Sequence, residues 1–426
     1  MVHFISFFVG LVVGVQPIEL SVSGPVARVE IRIDSETVAT MHGSPWKTRI
    51  DLGPRPRPAV INAVAFDADG TELGRDVQWV NVPRPRAEVD LLPELDENRA
   101  LRSVVLRWTS AEFVEPRKTR LTLDGRRVKA DSHGRIDLSD LEQERVHLLE
   151  AELAFPDNVV VRDQLVFGKG SAGTVNLDMT AVPVWVDRDK RTLRAEDLAG
   201  MFRVKGRPVG VADVEHGRAQ LVVVRGPSVN SQIDDLARRL QSRKPEGRDD
   251  RLPKDVSVRV IGPIPNRGPR GNARLFPVSP AREVGRKGLA ADLEGARFAD
   301  LEFGLPLVAD AVAHAALRAA SGNQRRAVAL MLGDEPDDVS SYTAAQVRAF
   351  LRDLGVPLVV FDMTRGAEAA EAWRPTEDVS DERRWLSAVR WLREDLENQR
   401  IVWLVGKHLL RDVELAPNAE GIDLVR

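Results

Sequence analysis

From Val26 to Ile33 the chain reads VARVEIRI, with Ala27, Val29, Ile31 and Ile33 on one side and Arg28, Glu30 and Arg32 on the other. Strict alternation is what a strand with one buried face requires, because successive side chains point to opposite faces of a sheet. The pattern of short strands continues through Trp46 to Ile50, the apolar run Ala59 to Phe66, a turn at Asp67-Ala68-Asp69-Gly70, and Val77, Trp79 and Val82. Strands at this spacing predict a small β-sandwich over 17–86, ended by the stiff Pro83-Arg84-Pro85-Arg86. A second β region follows over 87–180. There Val104, Leu106 and Trp108 alternate, Leu121 and Leu123 enter an Asp124-Gly125 turn, and two apolar strands flank Pro156-Asp157-Asn158.

After Thr180 apolar runs alternate with helical patterns. The run Leu221-Val222-Val223-Val224 leads through the loop Arg225-Gly226-Pro227-Ser228-Val229 into a helix with Ile233, Leu236, Ala237 and Leu240 on one face. Val256 to Ile261 supplies the next strand. Leu307 to Ala320 is apolar nearly all round and predicts a buried helix. Ala327 to Leu332 is a continuous strand; Thr343 then caps a helix with Val347, Phe350, Leu351 and Leu354 on its apolar face, Gly355 ends it, and Pro357 to Phe361 is again a strand. A helix from Ser380 to about Gln399 buries Trp385, Val389, Leu392 and Leu396, with Ile401 to Val405 as a last strand. Strand, helix, strand in this order predicts parallel βαβ units and a doubly wound α/β domain over 181–426.

Composition narrows the chemistry. The 426 residues are 43% apolar and 29% charged, as in soluble globular proteins, with a net charge of −3 and acids and bases interspersed. That balance argues against a nucleic-acid or anionic-membrane surface as the main partner. No cysteine is present, so disulfides, thiolate catalysis and cysteine zinc sites are excluded. The uncharged run Phe4 to Val15, FISFFVGLVVGV, is too short to span a bilayer and has the length of a signal-peptide core. It is read as an export signal over 1–15, which places the protein in the periplasm or outside the cell; the alternative is a first buried strand. No later segment reaches the roughly 18 apolar residues of a membrane span.

These stretches resemble the von Willebrand factor A-type proteins of bacteria, of the exported kind with immunoglobulin-like sandwiches ahead of the A domain. The resemblance is carried by ARVEIRIDSETVATMHGSPWKTRIDLG, by RRAVALMLGDEPDDVSSYTAAQVRAFLRDLGVPLVVFDM and by LREDLENQRIVWLVGKHL, in that order and spacing. It implies a multidomain fold: two all-β immunoglobulin-like sandwiches, then an α/β doubly wound, Rossmann-like A-type domain. It also implies an adhesion site in which oxygen ligands hold a divalent cation: an Asp-x-Ser-x-Ser loop, a Thr before a later helix and an Asp after a middle strand. Here the first loop aligns as Arg225, Gly226, Pro227, Ser228 and Val229, the Thr position falls near Pro306, and only Asp334 matches. A guanidinium has no acceptor and repels a divalent cation, so Arg225 either pairs with Asp334 across the strand ends or points to solvent. The expectation is a degenerate site without metal or other cofactor, in a non-catalytic protein that binds an unidentified protein partner.

Two further readings compete. Asp334, Glu335, Asp337 and Asp338 form an acidic loop where a displaced cation site would make the protein a metal-assisted adhesin. Gly226-Pro227-Ser228-Val229-Asn230 approaches the nucleophile elbow of serine hydrolases, with His216 or His314 as the base. The glycines of Gly168-Lys169-Gly170-Ser171-Ala172-Gly173 have dinucleotide-binding spacing, but the residues that follow read as a strand and offer no helix N-terminus. The charges of the last helix nearly balance and are read as a solvated face.

Overall fold

In a computed structural model the structure describes residues 1–8, 10–84, 87–95, 101–110, 114–138, 141, 147–156, 159–168, 171–173, 179–187, 192–242, 250–267, 274–283, 288–296, 304–334, 337–366 and 368–426. The Pro85-Arg86 end of the linker, Asp157-Asn158, Lys169-Gly170, Glu335 and Pro336 lie outside them. The chain divides into two compact units, one of Met1–Pro83 with Thr180–Arg426 and one of Arg84–Met179. It is built mostly of β-sheets, with a parallel sheet and helices toward the C-terminus.

In the first unit, Val2–Phe4, Val15–Val22 and Lys47–Asp51 form a three-stranded sheet, and Glu36–Met41, Arg28–Ile33, Ala59–Phe66 and Glu72–Val80 a four-stranded one. Val29, Ile31 and Ile33 face the core with Ile18, Leu20, Ile50 and Ile61. On the other face Glu30 takes both Arg28 (3.2 Å) and Arg32 (2.6 Å). The apolar run read as an export signal takes part in this sandwich. Val2–Phe4 pairs antiparallel with Val15–Val22, Val2 and Phe4 are buried, and Phe8 and Val12 pack against the core.

The second unit holds a five-stranded sheet, Arg126–Val128, Lys118–Leu123, His147–Ala154, Val160–Gly168 and Ser171–Gly173, and a three-stranded one, Arg135–Asp137, Leu101–Ser110 and Ala87–Leu95. Ser171–Gly173 pairs antiparallel with the end of Val160–Gly168, and the residues 174–178, expected as a strand after the glycine-spaced motif, lie outside the described residues.

The parallel sheet is formed by β1 (Ala219–Arg225), β2 (Val256–Ile261), β3 (Arg282–Glu283), β4 (Arg325–Leu332), β5 (Leu358–Asp362) and β6 (Glu377–Asp378), in the order β3-β2-β1-β4-β5-β6 with only β3 antiparallel. Every residue of β1 and β4 is buried, as in a strand covered on both faces. Helices α1 (Asn230–Ser242), α2 (Leu289–Glu294) and α5 (Glu382–Asn398) cover one face, α3 (Val308–Ala320) and α4 (Ala344–Asp353) the other. The cap read at Thr343 is present, and the structure makes it a capping box: its Oγ1 accepts from Gln346 N (3.3 Å) and its N–H donates to Gln346 Oε1 (2.9 Å).

The ends of the 181–426 region do not join that sheet. The strand Gln399–Val405, whose Ile401 to Val405 part was expected as its last strand, lies between Val211–Glu215, with which it pairs antiparallel, and Met179–Val186, with Ile422–Leu424 beyond. Phe202–Val204, Arg207–Pro208 and Val413–Leu415 form a small facing sheet, and Val182, Val184, Phe202, Val402 and Leu404 fill the space between. An apolar run buried on both faces reads alike in either setting, so the sequence could not choose between them.

Arginines on the central strands tie the helix ends to the sheet. A helix leaves its last carbonyls without partners, and a cation there is favoured by the helix dipole. Arg326 is 1% exposed and donates from Nε to Gly355 O (3.0 Å), from Nη1 to Ala320 O (3.2 Å) and from Nη2 to Leu354 O (3.4 Å), capping α3 and α4 together. Arg325 points to the other face, where it donates to Leu396 O near the end of α5 (2.7 Å) and pairs with Asp255.

The first sandwich is also anchored to the C-terminal part of its unit. Arg411 pairs with Asp34, which Arg57 approaches at 3.6 Å, and Lys407 Nζ stands 4.8 Å from the centre of the Trp79 ring. Asp34 and Arg411 are 21% and 16% exposed, so their attraction is only partly screened by solvent. A double-mutant cycle with Asp34→Ala and Arg411→Ala is expected to show a coupling of about 1 kcal/mol in urea denaturation. Strictly additive effects would remove this contact from the anchoring.

Candidate functional site

In a doubly wound sheet, ligands meet the loops at the C-terminal ends of the strands. Arg225 is the last residue of β1, opposite Met331 of β4. Alternation along β1 sends Leu221 and Val223 toward α1, α2 and α5, and Arg225 follows them. It is 4% exposed, and its Nη2 donates to the carbonyls of Leu293 and Ala296, each at 3.0 Å, at the end of α2. At the other end of α2, the Asp250 main-chain carbonyl accepts from Leu289 N (2.9 Å) and its carboxyl from Ala290 N (3.2 Å). Burial raises the Asp250 carboxyl above the usual carboxylate range, against the bond from Ala290 N.

This corrects both expectations for Arg225. It neither pairs with Asp334 nor points to solvent: Asp334 is exposed, and the guanidinium is turned inward onto helix carbonyls. The reason is geometric. A residue at the end of a strand buried on both faces has helices on either side, and the unsatisfied carbonyls at the end of α2 are the acceptors that a five-donor guanidinium meets there.

The structure gathers the other positions at the same edge. Pro227–Val229 makes one turn of 3-10 helix into α1, with Pro227 exposed, Ser228 half-buried and Val229 fully buried in the core. A side chain at Gly333 would come within 2.9 Å of Ser228 Oγ and 2.8 Å of Val229, so the loop after β4 lies directly on the loop after β1 and only glycine fits there. Pro306 is buried ahead of α3, and its carbonyl accepts from Val339 N (3.1 Å). Of the acidic loop, Asp338 caps α3, accepting from Val308 N (2.9 Å) and Ala309 N (3.1 Å). Sequence reading missed this role because the cap comes from beyond the next strand rather than from the residue before the helix. Among the described residues, no three Asp, Glu or His side chains converge in a metal-holding group.

Ser228 stands at the C-terminal end of β1, whereas His216 precedes its first residue, a full strand away. Burial, with Arg325 and Arg400 nearby, lowers the His216 pKa. His314 lies on α3, edge-on to Phe276, with Nδ1 on the Asp310 carbonyl (3.0 Å).

No family model matches the chain, and no curated protein does. Among solved structures it is similar to fibronectin(III)-like modules of Clostridium thermocellum CbhA, at 19% identity over 19% of this chain and 93% of that one, with a TM-score of 0.17. It is similar to the central fibronectin-III array of RIM-binding protein, at 10% identity over 47% and 81% of the two chains, with a TM-score of 0.21. Proximal thread matrix protein 1 from the mussel byssus matches at 16% identity over half of each chain, with a TM-score of 0.26. At these TM-scores the likenesses say nothing about what this chain binds. Among the described residues no helix is long and apolar enough to cross a membrane.

Proposed function

We propose that the chain is a non-catalytic, exported protein-binding or scaffolding protein whose A-type domain carries a degenerate adhesion site that binds without metal. The observation that carries this reading is the inward turn of Arg225: the position where the A-type site needs a carboxylate is spent on capping α2. Pro227, Val229 and Pro306 have no side-chain oxygen to offer a hard cation. Of the acidic loop, Asp338 is engaged at the N-terminus of α3, so a displaced cation site around Asp334 and Asp337 would have to do without it. The distance of His216 from Ser228, and the turning of His314 to its own helix, weigh against a hydrolase. In this reading the segment Phe4 to Val15 exports the chain without being cleaved, since its removal would strip Val2–Phe4 and the packing of Phe8 and Val12 from the first sandwich.

Calorimetric titration with magnesium, manganese and calcium is expected to show no binding tighter than about millimolar, with the melting temperature unchanged by a chelator. A fluorophosphonate probe is expected to leave Ser228 unlabelled. Tight binding of any of these ions would restore the metal-assisted adhesin, and labelling lost in Ser228→Ala would make the protein a hydrolase.

A further inference from the structure

The first sandwich and the α/β part of its unit have separate cores. The sandwich core is filled from Val2 to Val80, and among the described residues it shares no buried side chain with the cores beyond Thr180. Among the described residues, one apolar side chain crosses between them: Leu11, half-buried, packs against the core of α3 and α4. The contacts around it are polar. Asp34 pairs with Arg411 of the turn Leu410–Asp412, Lys407 stands on the Trp79 ring, and Gln346 of α4 donates from Nε2 to Pro54 O (3.2 Å). Asn81 shapes the sandwich side of this seam. Its side chain accepts from Val12 N (2.8 Å) and donates to Val12 O (2.8 Å) and Arg57 O (3.0 Å), so it holds the Leu11 loop beside the arginine-bearing loop 53–58. Asp353, at the end of α4, is half-buried, and burial raises its carboxyl against the attraction of Arg55, Arg411, Arg352 and Arg57.

We propose that the first sandwich is a clasp on the α/β part of its unit, closed through this seam at low ionic strength and released as salt weakens it, with both sides staying folded. A polar interface between separately cored bodies is the kind that lets domains move against each other. Opening strands no charge, because Asp34 Oδ1 keeps the Val60 N–H (3.0 Å) and Arg411 keeps Asp412 at 3.7 Å. Neither member of the Asp34–Arg411 pair is fully buried, so mobile ions reach the pair and screen it. The chain permits the motion. Pro83 and Thr180 are joined through the separate compact unit Arg84–Met179, which keeps a released sandwich tethered. Release uncovers Asp34 and Trp79 on the sandwich and Arg411 and Lys407 on the other side, so access of a partner to these groups depends on the clasp.

The test uses the full chain, which has no cysteine of its own, with spin labels at Ser21→Cys and Ala212→Cys, exposed positions on the sandwich and on the α/β part. Pulsed electron resonance is expected to give one narrow distance population in about 20 mM NaCl and a second, longer and broader one that grows toward about 1 M NaCl. Arg411→Ala, and separately Lys407→Ala at an exposed position, are expected to raise the long-distance fraction at low salt roughly threefold or more. The circular dichroism spectrum should stay that of the parent throughout. The proposal fails if salt leaves the distances unchanged, or if both variants do. It fails equally if the long distances appear only together with a loss of the circular dichroism signal, since the sandwich would then be unfolding rather than opening. None of these outcomes bears on the strand edge, so the reading of Arg225 stands or falls separately.

Discussion

Replacing Arg326 by methionine is expected to destabilise the first unit by about 3 kcal/mol, the largest loss from any single change at a helix end in this protein. The guanidinium is 1% exposed, and burial lowers its pKa to about 10, so it remains a cation at neutral pH. Its three hydrogen bonds go to the carbonyls of Ala320, Leu354 and Gly355, at the ends of α3 and α4. Methionine fills similar space but donates nothing, and each stranded buried carbonyl costs roughly 1 to 3 kcal/mol. Part of that is offset because a desolvated cation no longer has to be buried. Arg326→Lys should recover only part of the loss, since one ammonium cannot serve carbonyls on two helices in the planar geometry of a guanidinium. Urea denaturation at unchanged slope reads the difference directly. A loss below about 1 kcal/mol for the methionine variant would mean that the helix ends hold without the cap.

Asp395→Asn is expected to act in the opposite direction and only above a defined pH. Burial pushes the Asp395 carboxyl up to about 6, against the hydrogen bond from Gln399 Nε2 and the favourable indole of Trp185, which acts from beyond hydrogen-bonding geometry. In the unfolded chain the group ionises near 4. Between these values the folded state holds the proton that the unfolded state has released, so stability falls as pH rises from about 4 to about 6 and stays lower above that. A shift of about two pKa units corresponds to a loss of about 2 to 3 kcal/mol. Asparagine cannot ionise, and its carbonyl oxygen can still accept from Gln399. The variant should therefore melt higher than the parent at pH 7.5 and at nearly the same temperature at pH 4. Equal stabilities at both pH values would show that the carboxyl is not held protonated by its surroundings.

The two cases differ in how far they were visible before folding. A run such as Arg325 to Leu332 announces a buried strand, yet two arginines at its start look like a polar flank. Only when α3, α4 and α5 are seen to end beside them do Arg325 and Arg326 become caps, because the acceptors they meet lie on other elements. The same holds at Asp395. On the helix it is one acid among balanced charges, and it becomes a desolvated carboxyl only because Trp185 and Gln399 close over it.

What the sequence by itself determined are the features governed by short-range periodicity and local hydrogen bonding. These are the alternating face of Val26 to Ile33, the buried strands at Leu221 to Val224 and Ala327 to Leu332, the Thr343 cap, and the buried stripe Trp385, Val389, Leu392 and Leu396 of α5. Each records which side of an element leaves water, and that is decided within a few residues. The tertiary structure alone decided what each buried side meets. It sent Gln399–Val405 to a separate sheet, antiparallel to Val211–Glu215, turned Arg225 onto the end of α2 instead of toward Asp334, and set Trp391 of α5 across a cavity from Trp185. The physical reason is that apolar burial has no direction. It specifies that a face be covered, whereas the identity of the cover, and the partner of every buried donor and charge, depends on segments far apart in the chain.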